Sequence, residues 1–164
     1  MSKMITATFK TRDAAFSALR DLEAIGVTDK QVSMVVTDDT RGKTFNIEKS
    51  SKADEGAAAG ATVGGIIGAV AAAIAGAGAL AIPGLNVVVA GTLISALAGL
   101  GAGAATGGLV GGLIGAGIPE HEAKIYENEV KNGAILLAVE PSSDSQREQI
   151  SNILKRRDAY NVAA

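Results

Sequence analysis

A long stretch without charge is the feature that most constrains this chain. No residue from Gly56 to Gly117 is charged, and small residues recur in that stretch at every fourth position. The first series is Gly56, Gly60, Gly64, Gly68, Ala72 and Gly76, and the second, after Pro83 and Gly84, is Gly91, Ser95, Gly99, Gly103, Gly107, Gly111 and Gly115. Residues four apart lie on nearly one side of a helix, so each series predicts a helix with a groove that another backbone can approach closely.

The two series together predict a long helical hairpin that turns at Pro83 and Gly84 and uses its glycines for helix packing or oligomerisation. At 1.5 Å per residue, the arm from Gly56 to Ile82 would be roughly 40 Å long and the arm from Leu85 to Gly117 roughly 50 Å. A membrane hydrocarbon core of about 30 Å needs about 20 helical residues. Either arm is therefore long enough to span a membrane.

The surroundings of the predicted hairpin can be lipid or protein. A helix that is apolar on all sides must be buried in one of the two. Neither arm contains an aromatic residue, so both lack the interfacial belt that anchors membrane spans, and their glycines weaken insertion. A flexible spacer would show serine and irregular glycine placement instead of a regular spacing. The open alternatives are association with membrane lipid and burial of hairpins from many subunits inside a large soluble homo-oligomer.

The flanking segments, residues 1–55 and 118–164, predict the two halves of a small α+β domain that the hairpin, residues 56–117, interrupts. Ile5 to Phe9 alternates apolar and polar residues, as a half-buried strand does. Thr11 can cap a following helix that Gly26 ends. Val32 to Thr37 predicts a second strand, and Lys43 to Glu48 is a candidate edge strand.

The second flank repeats this organisation. Pro119 suits the first position of a helix that Gly133 ends, and Ala134 to Val139 predicts a strand. Ser143 and Gln146 form a capping-box pattern that opens a last helix, before a short strand at Tyr160 to Val162. The order β-α-β, helix, β-α-β predicts a ferredoxin-like sandwich. In the helix between Pro119 and Gly133, Tyr126 and Glu127 are a candidate polar surface site. The helical spacing of Tyr126 with Ala123 and Val130 instead favours a core position for Tyr126.

Composition and charge exclude several kinds of site. The chain of 164 residues carries 15 basic and 17 acidic residues, so it offers no basic field for nucleic acid. It has no cysteine, and its one histidine, His121, lies between two glutamates that point in other directions on a helix. We therefore expect no metal, no cofactor and no catalytic residues, and we expect that the protein is not an enzyme. The amino-terminal residues lack the apolar core of a secretion signal, which predicts residence on the cytoplasmic side.

Several local strings together resemble one bacterial family. They are Ala79-Leu80-Ala81-Ile82-Pro83-Gly84, then Gly117-Ile118-Pro119-Glu120 with Glu122-Ala123 and Tyr126-Glu127, and later Gly133-Ala134-Ile135-Leu136. The set resembles the general stress protein 17M-like family, whose members are also called low-temperature-induced proteins. The resemblance implies a stress-associated protein with a small α+β domain, a glycine-rich apolar insertion and no established enzymatic activity. The chain departs from the family after the turn, where Leu85-Asn86-Val87-Val88-Val89 replaces a further glycine-proline pair.

These observations lead to one main functional hypothesis. The chain is expected to be a non-enzymatic, stress-associated structural protein that self-assembles and associates with membrane or lipid through its glycine-zipper hairpin. The first alternative is the large soluble homo-oligomer with hairpins buried in its protein core. The second is a ferredoxin-like module that senses a small ligand.

Overall fold

The computed structural model describes residues 4–45, 65–75, 79–82, 86–94 and 102–163, and these residues form an α+β structure around one six-stranded sheet. The strands are β1 (Ile5–Phe9), β2 (Val32–Thr37), β3 (Ala79–Ile82), β4 (Val87–Gly91), β5 (Ile135–Val139) and β6 (Tyr160–Ala163). The helices are α1 (Arg12–Ala24), α2 (Asp38–Phe45), α3 (Gly65–Ala75), α4 (Ala102–Gly115), α5 (Glu120–Lys131) and α6 (Asp144–Arg156). Every strand pair is antiparallel, in the order β3-β4-β2-β5-β1-β6.

Short-range signals place most of the flanking elements where the sequence predicts them. The Thr11 hydroxyl accepts a hydrogen bond of 3.3 Å from the N–H three residues on and caps α1. Ser143 caps α6 in the same way at 3.1 Å. Gly26 and Gly133 follow α1 and α5 with φ angles of 84° and 94°, a conformation that glycine adopts readily at helix ends. Pro119 lies one position earlier than predicted, immediately before the first residue of α5.

The predicted edge strand at Lys43 to Glu48 is wrong over residues 43–45, which belong to α2, and residues 46–48 lie outside the described chain. Helix formation has local causes. Asp38 and Asp39 place negative charge in the first turn, near the positive end of the helix dipole. The Thr37 hydroxyl accepts a 3.0 Å hydrogen bond from the N–H of Thr40, as an N-cap does.

Helices cover both faces of the sheet, so the architecture has three layers. The first face packs against α1, α3 and α6, and its core includes Phe9, Leu19 and Met34. The second face packs against α4 and α5, and its core includes Val35 and Leu136. The alternation in β1 predicts a strand with one solvent-facing side, but Thr6 and Thr8 are each only 1% exposed. The two threonines are buried because helices cover the second face of the sheet as well as the first.

The prediction of two continuous helical arms is wrong in the described part of the glycine-rich segment. Ala79–Ile82 and Val87–Gly91 are strands that pair with each other, and β4 pairs with β2. The run Val87-Val88-Val89 favours this outcome, because β-branched side chains are stiff in helices and pack well on a sheet. The helices before and after this β-hairpin, α3 and α4, lie on opposite faces of the sheet.

Gly91 provides a test of the assignment of Val87–Gly91 as a strand. Its φ is 96°, and an added Cβ would collide with the Val32 carbonyl oxygen and lie 2.7 Å from the Ser33 Cα. We expect Gly91→Ala to destabilise the protein by about 1 to 3 kcal/mol in urea unfolding. A helical arm would predict the opposite sign, since alanine stabilises a helix interior by about 1 kcal/mol relative to glycine.

Gly117 supplies the matched control, because its φ of 89° is similar but no atom lies within 4 Å of an added Cβ. Gly117→Ala is expected to introduce backbone strain without the collision, and therefore to lower the free energy of unfolding by less than Gly91→Ala does. An increase in stability for Gly91→Ala would contradict the strand assignment.

Candidate functional site

The predicted zipper residues that the structure describes do not come together in one helix pair. Gly68 is buried in α3 on the first face, Gly91 ends β4, and Gly103, Gly107, Gly111 and Gly115 belong to α4 on the second face. The prediction of Gly91 as a helix-packing residue is wrong. Gly56, Gly60, Gly64, Gly76 and Gly99 lie outside the described residues, as do the turn residues Pro83 and Gly84.

The two described helices of the glycine-rich segment are short. Helix α3 has 11 residues, and α4 has 14 with non-helical geometry at Gly108 (φ 59°, ψ −149°). Within the ranges that the structure describes, no helix combines the length and apolarity needed to cross a membrane.

A polar network connects β1, α5 and β6 on the second face of the sheet. It is buried at Thr6, Thr8 and Tyr126, half-buried at Glu129 and exposed at Asn161. The Thr6 hydroxyl donates a 2.9 Å hydrogen bond to the Tyr126 hydroxyl, which in turn donates one of 2.8 Å to the Asn161 carbonyl. One helical turn further along α5, the Glu129 carboxylate accepts hydrogen bonds from the Thr8 hydroxyl and the Asn161 side-chain amide. The two-residue repeat of β1 and the three-residue spacing on α5 bring these groups face to face.

Asn161 completes the network because its backbone adopts a rare conformation. Its φ is 47°, in the left-handed region that asparagine tolerates better than most residues. The pairing of β1 with β6 shifts in register at this point, between Thr6 and Thr8. The carbonyl of Asn161 accordingly accepts from Tyr126, while its side chain reaches Glu129.

Burial changes the acidity of Tyr126. Removal from water raises the pKa of its phenol from 10.0 to about 12, because the charged phenolate is poorly solvated there. The hydrogen bond from Thr6 acts in the opposite direction, and the nearby carboxylates of Glu122 and Glu129 raise the pKa further. Tyr126 is therefore a neutral structural hydroxyl at physiological pH.

A half-open cleft of about 370 Å³ adjoins this network. Its wall combines the end of β1, the carboxyl end of α5 with the following turn, and the first residue of β6. The lining residues are Thr8, Phe9, Lys10, Glu129, Asn132, Gly133, Ala134 and Tyr160. The Lys10 ammonium lies 4.3 Å from the centroid of the Tyr160 ring, in cation–π contact.

The cleft offers groups that bind and orient a small polar molecule. Glu129 supplies a carboxylate, Asn132 an amide, Lys10 an ammonium and Tyr160 an aromatic ring. Tyr160 as a whole is 46% exposed. Across the described ranges, no three histidine, cysteine or acidic side chains cluster as metal ligands. The side chains that line the cleft are suited to recognition through charge and hydrogen bonding.

The sequence points to only part of this site. Tyr126 is buried as its helical spacing predicts, but the suggested companion Glu127 lies outside the network and forms a 2.5 Å ion pair with Lys131. The true companion is Glu129, which the three-residue spacing on α5 could have indicated. Thr6 and Thr8 show their alternation in the sequence, but that pattern does not reveal that a helix covers them.

Comparisons with known proteins provide no family assignment. No protein-family model matches the chain, and no curated protein or solved structure shows significant similarity to it.

Because burial raises the pKa of Tyr126, we expect the protein to lose stability at high pH. The unfolded phenol loses its proton near pH 10 and the folded one near 12, so the folded state binds the proton more tightly across this interval. The stabilisation is complete below pH 10 and is lost as the pH rises through about 12. Urea unfolding of the native protein between pH 8 and 12 should show this decline.

Tyr126→Phe is the control, because phenylalanine has no proton to lose and the chain then retains only the exposed Tyr160. The variant should be less stable by about 1 to 3 kcal/mol at pH 8, since Thr6 and the Asn161 carbonyl lose their shared partner. Its stability should also fall less steeply above pH 10. Identical slopes for the two proteins would contradict the assignment.

Proposed function

We propose that this protein is a non-enzymatic, stress-associated structural protein of the cytoplasmic side that self-associates through the outer surface of α4 and α5. The stress association comes from the resemblance of the local motifs described above. A ferredoxin-like core is part of the proposal. It is supported by the order β6-β1-β5-β2 among the strands of the two flanks and by the packing of α1 and α6 on one face of the sheet.

One observation carries the self-association. Ile114 on α4 and Ile125 on α5 are each 42% exposed, whereas most large apolar side chains of the described residues are buried. Gly111 is half-buried and Gly115 is exposed beside Ile114 on α4. Helices α4 and α5 contact each other, and we propose that these four residues contribute to one surface, here called the α4–α5 patch. It offers apolar side chains together with positions at which a second backbone can approach closely.

Internal packing favours a protein partner over lipid for this patch. The apolar side chains of α3, which in a solitary helix would require lipid, are already covered by the sheet: Ile66, Ile67, Val70 and Ile74. On α4, Leu109 and Leu113 are buried in the same manner on the other face. Among the described residues, the exposed remainder is small and lies beside charged residues of α5, which suits a second copy of the chain better than a membrane interior.

The expected contribution of the patch is modest and supports only weak association on its own. Burying the exposed parts of Ile114 and Ile125 contributes roughly 1 kcal/mol for each side chain. In a two-fold symmetric contact every such group counts twice, because the same surface is used by both copies. Weak association through this face can then combine with further contacts in a larger homo-oligomer.

A ligand-sensing module is the second candidate, and the cleft beside Glu129 favours it. The cleft lies at the β1–β6 edge of the sheet, apart from the four residues of the α4–α5 patch. The two roles are therefore compatible in one chain.

The α4–α5 patch predicts the effect of two substitutions on particle size. Ile114→Lys introduces an unpaired charge into the contact, and Gly115→Leu inserts a side chain where the partner backbone would approach. Both should shift the protein toward the monomer in sedimentation velocity while circular dichroism remains unchanged, because both positions are exposed in one copy.

Asn152→Leu is the matched control, since it adds the same side chain at an exposed position of α6, on the opposite side of the sheet. Its particle size should equal that of the native protein. A native protein that is monomeric at all concentrations would contradict self-association. Flotation of the native protein with phosphatidylcholine–phosphatidylglycerol vesicles, abolished by Ile114→Lys, would instead support membrane lipid as the partner.

A further inference from the structure

The cleft at the β1–β6 edge contains two opposite charges that do not neutralise each other. Lys10 and Glu129 both line it, yet neither forms an ion pair with any side chain of the described residues. Thr8 in β1 and Lys10, which directly follows the last residue of that strand, line the same cleft. The Thr8 hydroxyl donates a hydrogen bond to Glu129, and the cleft lined by both charged residues has a volume of about 370 Å³.

Glu129 is oriented by the protein but retains binding capacity. Its carboxylate accepts hydrogen bonds from the Thr8 hydroxyl and the Asn161 amide, both of which are neutral donors. A carboxylate has about four acceptor positions, so two remain for groups in the cleft. The two protein donors restrict the side chain to one position, which lowers the entropy cost of binding a cationic donor.

Lys10 and Tyr160 contact each other at the same cleft. The Lys10 ammonium lies over the ring at 4.3 Å, and a cation–π contact at an exposed site contributes only about 0.5 to 1 kcal/mol. The ammonium is therefore easily drawn to an incoming carboxylate, whose charge-assisted hydrogen bond is stronger. Its departure leaves the aromatic face of Tyr160 accessible to an apolar group.

We propose that this cleft binds a free α-amino acid with an apolar or aromatic side chain. The ammonium of the amino acid donates to Glu129, its carboxylate accepts from Lys10, and its side chain packs against Tyr160 and Ala134. A volume of about 370 Å³ lies within the range of small-ligand sites, about 300 to 1,000 Å³. A phosphate or other simple anion fits less well because Glu129 repels it, and a simple amine leaves Lys10 unused.

Leucine and phenylalanine are the first probes, and titration calorimetry with the full chain is the measurement. For leucine, isoamylamine lacks the carboxylate and isocaproate lacks the ammonium, while both keep the side chain. Leucine or phenylalanine should bind, and each truncated leucine analogue should bind at least about tenfold more weakly than leucine, because one charge-assisted contact is lost.

Two substitutions in the cleft test the assigned contacts. Glu129→Gln keeps the shape of the side chain and removes its charge, and Lys10→Met keeps most of the length and removes the ammonium. Each should weaken amino-acid binding about tenfold or more. Glu127→Gln and Lys131→Gln are matched controls, because these residues pair with each other on α5 outside the cleft and should leave the affinity unchanged.

Three results would overturn the proposal: no heat of binding with either amino acid, equal binding of isoamylamine and leucine, or unchanged affinity in both cleft variants. If Glu129→Gln fails to fold, Lys10→Met decides alone, since Lys10 is exposed and contributes little to the core. The result is independent of self-association, because Ile114→Lys should bind the amino acid as the native protein does even where it is monomeric.

Discussion

Burial of both faces of the central sheet is the constraint on which the rest of this structure depends. The middle strands β2 and β5 are buried along their whole length, with apolar side chains directed to both helical layers. Each large apolar side chain removed from water contributes about 1.5 to 3 kcal/mol, so an uncovered face would be costly. The flanks supply α1, α5 and α6, and the glycine-rich segment supplies α3, α4 and the two strands beyond β2. Without that segment, β2 would become an exposed edge.

The small residues of the uncharged segment are therefore explained in part by packing within one chain. A groove of glycines permits close approach to any backbone, and in α3 the neighbouring surface belongs to the sheet and to α1. Gly68 is buried there, among the isoleucines that face the core. A regular four-residue spacing indicates close helix packing but does not identify the partner, which can be lipid, a second chain or the same chain.

The sequence predicts features that depend on nearby residues, but it does not predict those that depend on contacts between distant parts of the chain. Helix caps and helix ends depend on neighbours only a few residues away, so the local sequence predicts them. This is the case for the caps at Thr11 and Ser143 and for the helix ends at Gly26 and Gly133. The β-hairpin at Ala79–Gly91 depends on pairing with β2, about 50 residues earlier in the chain, which overrides a helical period that continues through it. The polar network has the same origin, because Thr6 and Tyr126 are 120 residues apart. Alternation in β1 shows two threonines on one side but cannot show that α5 covers them.

The second face of the sheet is divided between two kinds of packing. Val35, Val89 and Leu136 pack there in an apolar cluster with α4 and α5, whereas at β1 and β6 the face is polar and covered by α5. Buried threonines are less favourable than valines unless their hydroxyls are paired, and here Tyr126 and Glu129 pair them. Ile125 precedes Glu129 by one helical turn, so the proposed partner surface and the proposed ligand cleft share α5. If a second copy packs on Ile125, any effect of association on ligand affinity must be matched by an equal effect of the ligand on association, because coupling between two binding equilibria is reciprocal.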